Sequence, residues 1–219
     1  MSERFSVTPR TRVVRLPDRA SYDRQTLLAI LDEAFLCHVA FSVEGQPYAV
    51  PMAFGRDDEH LYLHASAASR MARGAIDGLD VGVTVTLLDG LVMARSAFHH
   101  SMNHRSVMVI GRARLVTEPT ERQHALRRIV EHALAGRWDE VRAPSPKELK
   151  ATAVLALPLV EVSGKIRVGA PGEEEEDYAL PVWAGVIPLR TITDQPQDDG
   201  RLVAGVPPLD ERRIAARLR

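Results

Sequence analysis

The 219 residues include 28 basic and 29 acidic side chains, for a net charge of −1, with 45% hydrophobic and 26% charged residues. A chain of this length forms one large domain or two small ones and buries roughly 70% of its unfolded surface; its even charge balance argues against a nucleic-acid coat or a polybasic membrane binder. The single cysteine, Cys37, excludes an intrachain disulfide, no run of about 18 apolar residues is present, and the N-terminus lacks the apolar stretch of a secretory signal, so a reducing, cytoplasmic setting is expected.

In chain order, residues 1–20 are basic, polar and proline-punctuated, and are expected to form an extended arm. In "SYDRQTLLAILDEAF", Ser21 or Asp23 can cap a helix whose apolar residues Leu27, Ile30, Leu31 and Ala34 share one face. Three strand-like runs follow, "LCHVAFSV", "PYAVPMAFG" and "HLYLHA", the first two joined by a hairpin turn at Glu44-Gly45-Gln46. Pro51 cannot donate to a ladder, so an edge, a bulge or a close approach is expected there. "SAASRMARGAID" reads as a short helix. "DVGVTVTLLDGLVMARSAF" alternates and then turns or continues at Asp89-Gly90. "HRSVMVIGRARLV" alternates again, with Gly111 as a bulge or close approach. In the amphipathic helix "EPTERQHALRRIVEHALAG", Leu126, Ile129, Val130 and Leu134 form the apolar stripe and Gly136 the stop. "SPKELKA" is a helical turn, and "TAVLALPLVEVSGKIRVG" a strand pair broken at Pro158. "GEEEEDY" reads as a solvated acidic loop, and the C-terminal end as a short basic helix. At least six short strands without strict strand–helix alternation predict an α+β fold, a mostly antiparallel barrel with flanking helices, rather than a doubly wound parallel sheet.

The stretch "LYLHASAASRMARG" at residues 61–74 concentrates polar groups where a strand hands over to a helix. Helical N–H groups there lack intrahelical partners. Ser66 and Ser69 add hydroxyls, Ala67 and Ala68 leave room, and Arg70 adds a fork of donors, a combination that suits a phosphate. The bland alternative is an N-capping serine beside solvent-exposed arginines. His64 shares the strand face of Tyr62 and Ser66, as a structural histidine or as a proton donor near neutral pH, and is the one candidate catalytic residue. His99, His100 and His104 cluster in "HHSMNH", but on a strand the pair His100 and His104 spreads its side chains some 13 Å apart, so no metal site is expected. His38 lies in an apolar run and reads as a core residue, as does Cys37. There is no G-x-S-x-G, Walker loop or C-x-x-C motif.

The order and spacing of "LDEAFLCHVAF", "QPYAVPMAFG", "HLYLHASAASRMARGA", "DVGVTVTLL" and "HRSVMVIGRARLV" resembles the flavin-binding split β-barrels related to pyridoxamine 5′-phosphate oxidase, in the branch with nitroimidazole-reductase-like proteins. The resemblance spans roughly residues 20–190. It implies an arm at 1–20, a split β-barrel domain at 21–190 and a tail at 191–219. It also implies a homodimer with FMN in clefts between subunits, acting on a small-molecule substrate, with electrons passing from a reduced nicotinamide to a small acceptor. By position, the Pro51, Met52 and Ala53 backbone would lie along the flavin ring. Tyr62, His64, Ala65 and Ser66 would flank the ribityl chain and phosphate, and Ser69 and Arg70 would hold the phosphate. Met71 stands where such proteins commonly carry a lysine. Arg105 and Ser106 would lie at the cofactor, with Ser106 reaching the flavin edge, and Lys165, Arg167 and Trp183 would lie near the cleft, from the same subunit or the partner. The residues leave open a deazaflavin or haem in the same barrel, and a flavin-storing or ligand-sensing module without turnover.

Overall fold

The structure, a computed structural model, describes residues 3–210 and residue 213. The basic helix expected at the C-terminal end falls outside the described residues. In chain order the elements are β1 (Ala20–Ser21), α1 (Arg24–Glu33), β2 (Cys37–Val43), β3 (Gln46–Met52), β4 (Phe54–Arg56), β5 (His60–Ser66), α2 (Arg70–Gly74), β6 (Leu79–Met93), β7 (Ser101–Leu115), α3 (Pro119–Ala133), α4 (Pro146–Ala151), β8 (Thr152–Pro158), β9 (Glu161–Arg167) and β10 (Gly185–Pro188). The pairings are antiparallel and run β3-β2-β6-β7-β8-β5-β4, with β9 between β7 and β1 and with β10 on β6. This is the expected α+β arrangement, an antiparallel split barrel with helices packed around it.

Local chemistry explains most of the boundaries. Asp23 caps α1 by accepting the Thr26 N–H at 2.7 Å, and Leu27, Ile30 and Leu31 carry its buried face. The β2–β3 turn has positive φ at Glu44 and Gly45, the type I′ geometry whose twist matches the strands. The run expected as one strand over 47–55 divides. β3 ends at Met52 as an edge strand on β2, Ala53 bridges, and β4 pairs with β5 instead, so the chain changes partners and the barrel opens there. By contrast, β6 continues through Asp89-Gly90. It steps out of register between Leu88 and Gly90, leaving Asp89 as a bulge residue. β7 gives His104–Ile110 to β9 and Arg114–Leu115 to β8. Gly111 sits at that exchange, where a Cβ would stand 3.0 Å from the Leu157 side chain.

The barrel core comes from the inward faces of β2, β5, β6, β7 and β8, closed by α1 and by Phe5 of the N-terminal arm. A second core lies outside the barrel, where α3 covers β5 and β8 with Tyr62, Val116, Ala125, Ile129, Val154 and Ala156. The stripe expected for α3 is therefore rotated: Ala125 is buried, whereas Val130 and Leu134 lie at its margin. The small residues allow close packing. A Cβ on Gly55 of β4 would stand 2.5 Å from backbone atoms of Arg128 and Ile129. Backbone cannot swing aside as a side chain can, so Gly55→Ala is expected to cost about 2 kcal/mol. Thermal unfolding should show a midpoint lowered by about 4–8 °C for a chain of this size; an unchanged midpoint would mean that α3 slides freely on the barrel.

Alternation places His38 on the outer face of β2, exposed, while Cys37, Val39 and Phe41 point inward. His38 is thus not the core residue its apolar surroundings suggest. Cys37 is fully buried, and that burial pushes its thiol up to about 12, so it packs as a small hydrophobe.

Candidate functional site

The open edge of the barrel forms a groove of about 430 Å³, within the range of small-ligand pockets. Phe41 of β2 and Tyr48, Val50 and Met52 of β3 form its apolar wall. Phe41 and Tyr48 face each other across the hairpin, with ring centroids 5.4 Å apart and planes at 22°. Ala65, Ala68, Ser69, Arg70, Met71 and Arg73 supply the opposite side, where β5 gives way to α2. The Arg70 guanidinium lies 5.4 Å from the Tyr48 ring centroid, and Arg73 Nη1 donates to the Ala68 carbonyl at 2.8 Å. Neither arginine meets a carboxylate among the described residues, so the groove presents two uncompensated positive charges beside an aromatic wall.

The serines are partly committed to the backbone. Ser66 Oγ accepts from the Ala68 N–H at 3.3 Å, and Ser69 Oγ caps α2 by accepting from the Ala72 N–H at 3.1 Å. Each retains its hydroxyl hydrogen for a ligand. Met71 is only 4% exposed and belongs to the barrel core, so the second cation of the groove is Arg73, not the residue at 71.

Of the residues singled out in the sequence, the groove unites Met52, Ala65, Ser69, Arg70 and Met71, with Pro51 and Ser66 on its rim strands and Ala53 in the link between β3 and β4. The strand period divides the others. Tyr62 and His64 lie on the opposite face of β5 from Ala65. Tyr62 is buried against α3, its hydroxyl donating to Asp57 Oδ2 at 2.9 Å, and burial together with Asp57 pushes its pKa up. His64 is exposed on that side. Arg105 spends its guanidinium on two carboxylates, with Nη2 2.8 Å from Glu33 and 2.8 Å from Asp89. Ser106 Oγ donates to the Lys165 carbonyl at 3.1 Å, and Lys165 Nζ to the Arg15 carbonyl at 3.1 Å. Trp183 is largely exposed before β10. Within one chain these last four stand apart from the groove. The sequence reading missed the Phe41–Tyr48 pair, although counting outward from Glu44-Gly45 places the two opposite each other.

A second polar locus lies at the far end of β6 and β7. His100 Nδ1 is 2.9 Å from the Ser96 carbonyl; a carbonyl only accepts, so Nδ1 carries the proton and Nε2 of the neutral ring keeps its lone pair. His99 Nε2 is 3.6 Å from Glu174, and His104 Nδ1 is buried without a partner. The acidic loop is only partly solvated. The Glu173 side chain is buried, accepting from the Arg95 backbone N–H at 3.0 Å and from Arg95 Nη1 at 3.1 Å. Among the described residues no three His, Cys, Asp or Glu side chains converge on a metal position, and no helix is long and apolar enough to cross a membrane.

This fold and groove have counterparts among known proteins. The chain is 40% identical to the flavocytochrome Anf3 from Azotobacter vinelandii, over 97% of each chain with a TM-score of 0.87. It is 35% identical to an FAD- and haem-binding protein from Mycobacterium smegmatis, over 89% of this chain and 96% of that one, with a TM-score of 0.82. A putative 5-nitroimidazole antibiotic resistance protein from Bacteroides thetaiotaomicron is 26% identical over 67% of this chain and 86% of its own, with a TM-score of 0.55. No curated protein matches the chain. The pyridoxamine 5′-phosphate oxidase family model matches residues 23–166, from the cap of α1 through β9, and the chain belongs to that family of flavin-binding split barrels.

Proposed function

We propose that this protein is a flavin-binding oxidoreductase that also carries a haem, and that it works as a homodimer. One observation carries the reading: the two structures that match nearly the whole chain at 40% and 35% identity are a flavocytochrome and an FAD- and haem-binding protein. When bound, the flavin supplies hydride and electron chemistry and the haem supplies one-electron chemistry, with a reduced nicotinamide as donor and a small molecule as acceptor.

The chain's own residues suit both groups. In the groove, Phe41, Val50 and Met52 exclude water from one face of a flat ring. β3 is an edge strand, so the Pro51–Ala53 backbone has polar groups left over for the ring edge. Arg70 and Arg73, with the Ser69 hydroxyl, hold an anionic tail such as the phosphate of FMN. At the second locus, His100 has the fixed tautomer of a metal-ligating imidazole, with Nδ1 tied to Ser96 and Nε2 free. Phe98 beside it is 89% exposed and offers an apolar surface to a porphyrin. For the dimer, the outer sheet face carries small or apolar side chains at Ala40, Pro51, Gly82, Thr84 and Met108, a surface on which a second copy can pack.

The test is the visible spectrum of the purified protein, alone and after addition of FMN, FAD and haemin, with light scattering for the dimer. Flavin bands, together with a Soret band that His100→Ala abolishes, are expected. A colourless protein whose melting temperature ignores all three additions would sink the reading. Steady-state oxidation of NADH or NADPH with quinone and nitro acceptors then separates turnover from storage.

A further inference from the structure

A hollow of about 430 Å³ lies outside the barrel, between the first turns of α3, the 3-10 turn Arg137–Glu140 and α4. Leu126, Trp138, Pro144 and Leu149 make its apolar body, and Thr117, Arg122 and Gln123 bring polar side chains to it. Local bonds hold these walls in place. The Trp138 backbone N–H donates to Glu131 Oε1 at 2.8 Å, after Gly136, at φ 77°, has turned the chain back from α3. Ser145 and Glu148 form a capping box that fixes the start of α4. Arg122 Nη2 donates to the Leu149 and Thr152 carbonyls and so fastens the end of α4 to α3. The volume is in the range of small-ligand pockets, and none of the residues lining the hollow lines the groove that holds Arg70.

Arg122 gives the hollow its sign. Among the described residues its guanidinium meets no carboxylate, only Nη2 donates, and Nε is buried with no partner. The acid next to it on α3, Glu121, is held by Arg114 at 3.0 Å. No aspartate or glutamate lines the hollow, nor the adjoining one of about 320 Å³ with which it shares Thr117 and Arg122. Two other surface hollows of this chain differ: Arg56 lines both, and its ion-pair partner Asp32 lines both with it. The carbonyls that Arg122 meets neutralise no charge. A guanidinium beside an apolar wall, with no anion from the chain itself, is complementary to a molecule that has both an apolar body and a carboxylate.

We propose that this hollow binds a small organic carboxylate, with its apolar or aromatic body against Trp138, Leu126 and Pro144 and its carboxylate on the Arg122 guanidinium and the Thr117 hydroxyl. The site is separate from the cofactor groove and does not depend on the flavin and haem reading.

The probes are 4-phenylbutyrate and its uncharged counterpart 4-phenylbutanol. The chain has two tryptophans, so full-length Trp183→Phe protein reports through Trp138 alone. Its fluorescence is followed on titration, and any bound flavin is followed by its visible absorbance. The acid is expected to give a saturable change and to bind about tenfold more tightly than the alcohol, the value of one charge-assisted hydrogen bond. In the same background, Arg122→Gln should bring the acid down to the affinity of the alcohol. Ala143→Phe, which fills the hollow from an exposed position on its rim and keeps Arg122, should weaken both about tenfold. No saturable change, equal affinities for acid and alcohol, or a preference for the acid that survives Arg122→Gln overturns the proposal. If Arg122→Gln does not fold, having released the Leu149 and Thr152 carbonyls, Ala143→Phe decides, and unchanged affinities there overturn it. Release of bound flavin by the acid also overturns it, because the acid would then occupy the groove with Arg70.

Discussion

Arg105→Met is expected to destabilise the protein by about 3 kcal/mol, the lower end for breaking a buried ion pair. The Arg105, Glu33 and Asp89 side chains are 29%, 22% and 31% exposed, so the loss is discounted for residual solvent but not removed. The guanidinium ties the end of α1 to the bulge of β6, and its removal leaves two carboxylates facing each other with no cation between them. For a chain of this size the melting midpoint should fall by about 6–12 °C. Adding Glu33→Gln and Asp89→Asn should recover much of that loss, because the repulsion disappears with the charges. The opposite result, a stable variant that has lost only its flavin, would return Arg105 to the cofactor contact that its family resemblance implies.

Arg70→Ala should weaken flavin binding by about 10- to 100-fold, the value of one or two charge-assisted hydrogen bonds to a phosphate. Arg70 is the cleaner probe of the groove because among the described residues it makes no hydrogen bond that holds the fold, whereas Arg73 also fastens the Ala68 carbonyl. Titration of the cofactor-free protein with FMN, followed by quenching of flavin fluorescence, reads the effect directly. The melting temperature without flavin should stay within about 2 °C of the wild type, since exposed side-chain substitutions generally change stability little. Equal affinities of variant and wild type would move the phosphate out of this groove.

The strands were legible because each has one buried face, and a period of two follows from that alone. The same period also marks where reading stopped. β5 is buried on both faces through Tyr62, so alternation could not tell that Tyr62 packs on α3 while Ala65 faces the groove. His38 sits among apolar neighbours in sequence but projects from the outer face, because the neighbours on either side project inward. The division of 47–55 between two partners depends on β5 arriving from elsewhere in the chain, and no local signal encodes that. Glu173 looked like one of four equivalent solvated acids, and only the approach of Arg95 singles it out. The cap of α1 at Asp23 and the turn at Glu44-Gly45 were legible because their chemistry is contained within four residues.

Asp89 has one further consequence. As the surplus residue of β6 it belongs to neither ladder phase, so the hairpin tip beyond it keeps its own inside–outside alternation, independent of the barrel wall below. Substitutions or length changes in that tip, which carries His99 and His100, leave the phase of Val81, Val83 and Val85 untouched. The fold thereby separates the part of the molecule that must stay constant to remain folded from the part free to be retuned for a different prosthetic group.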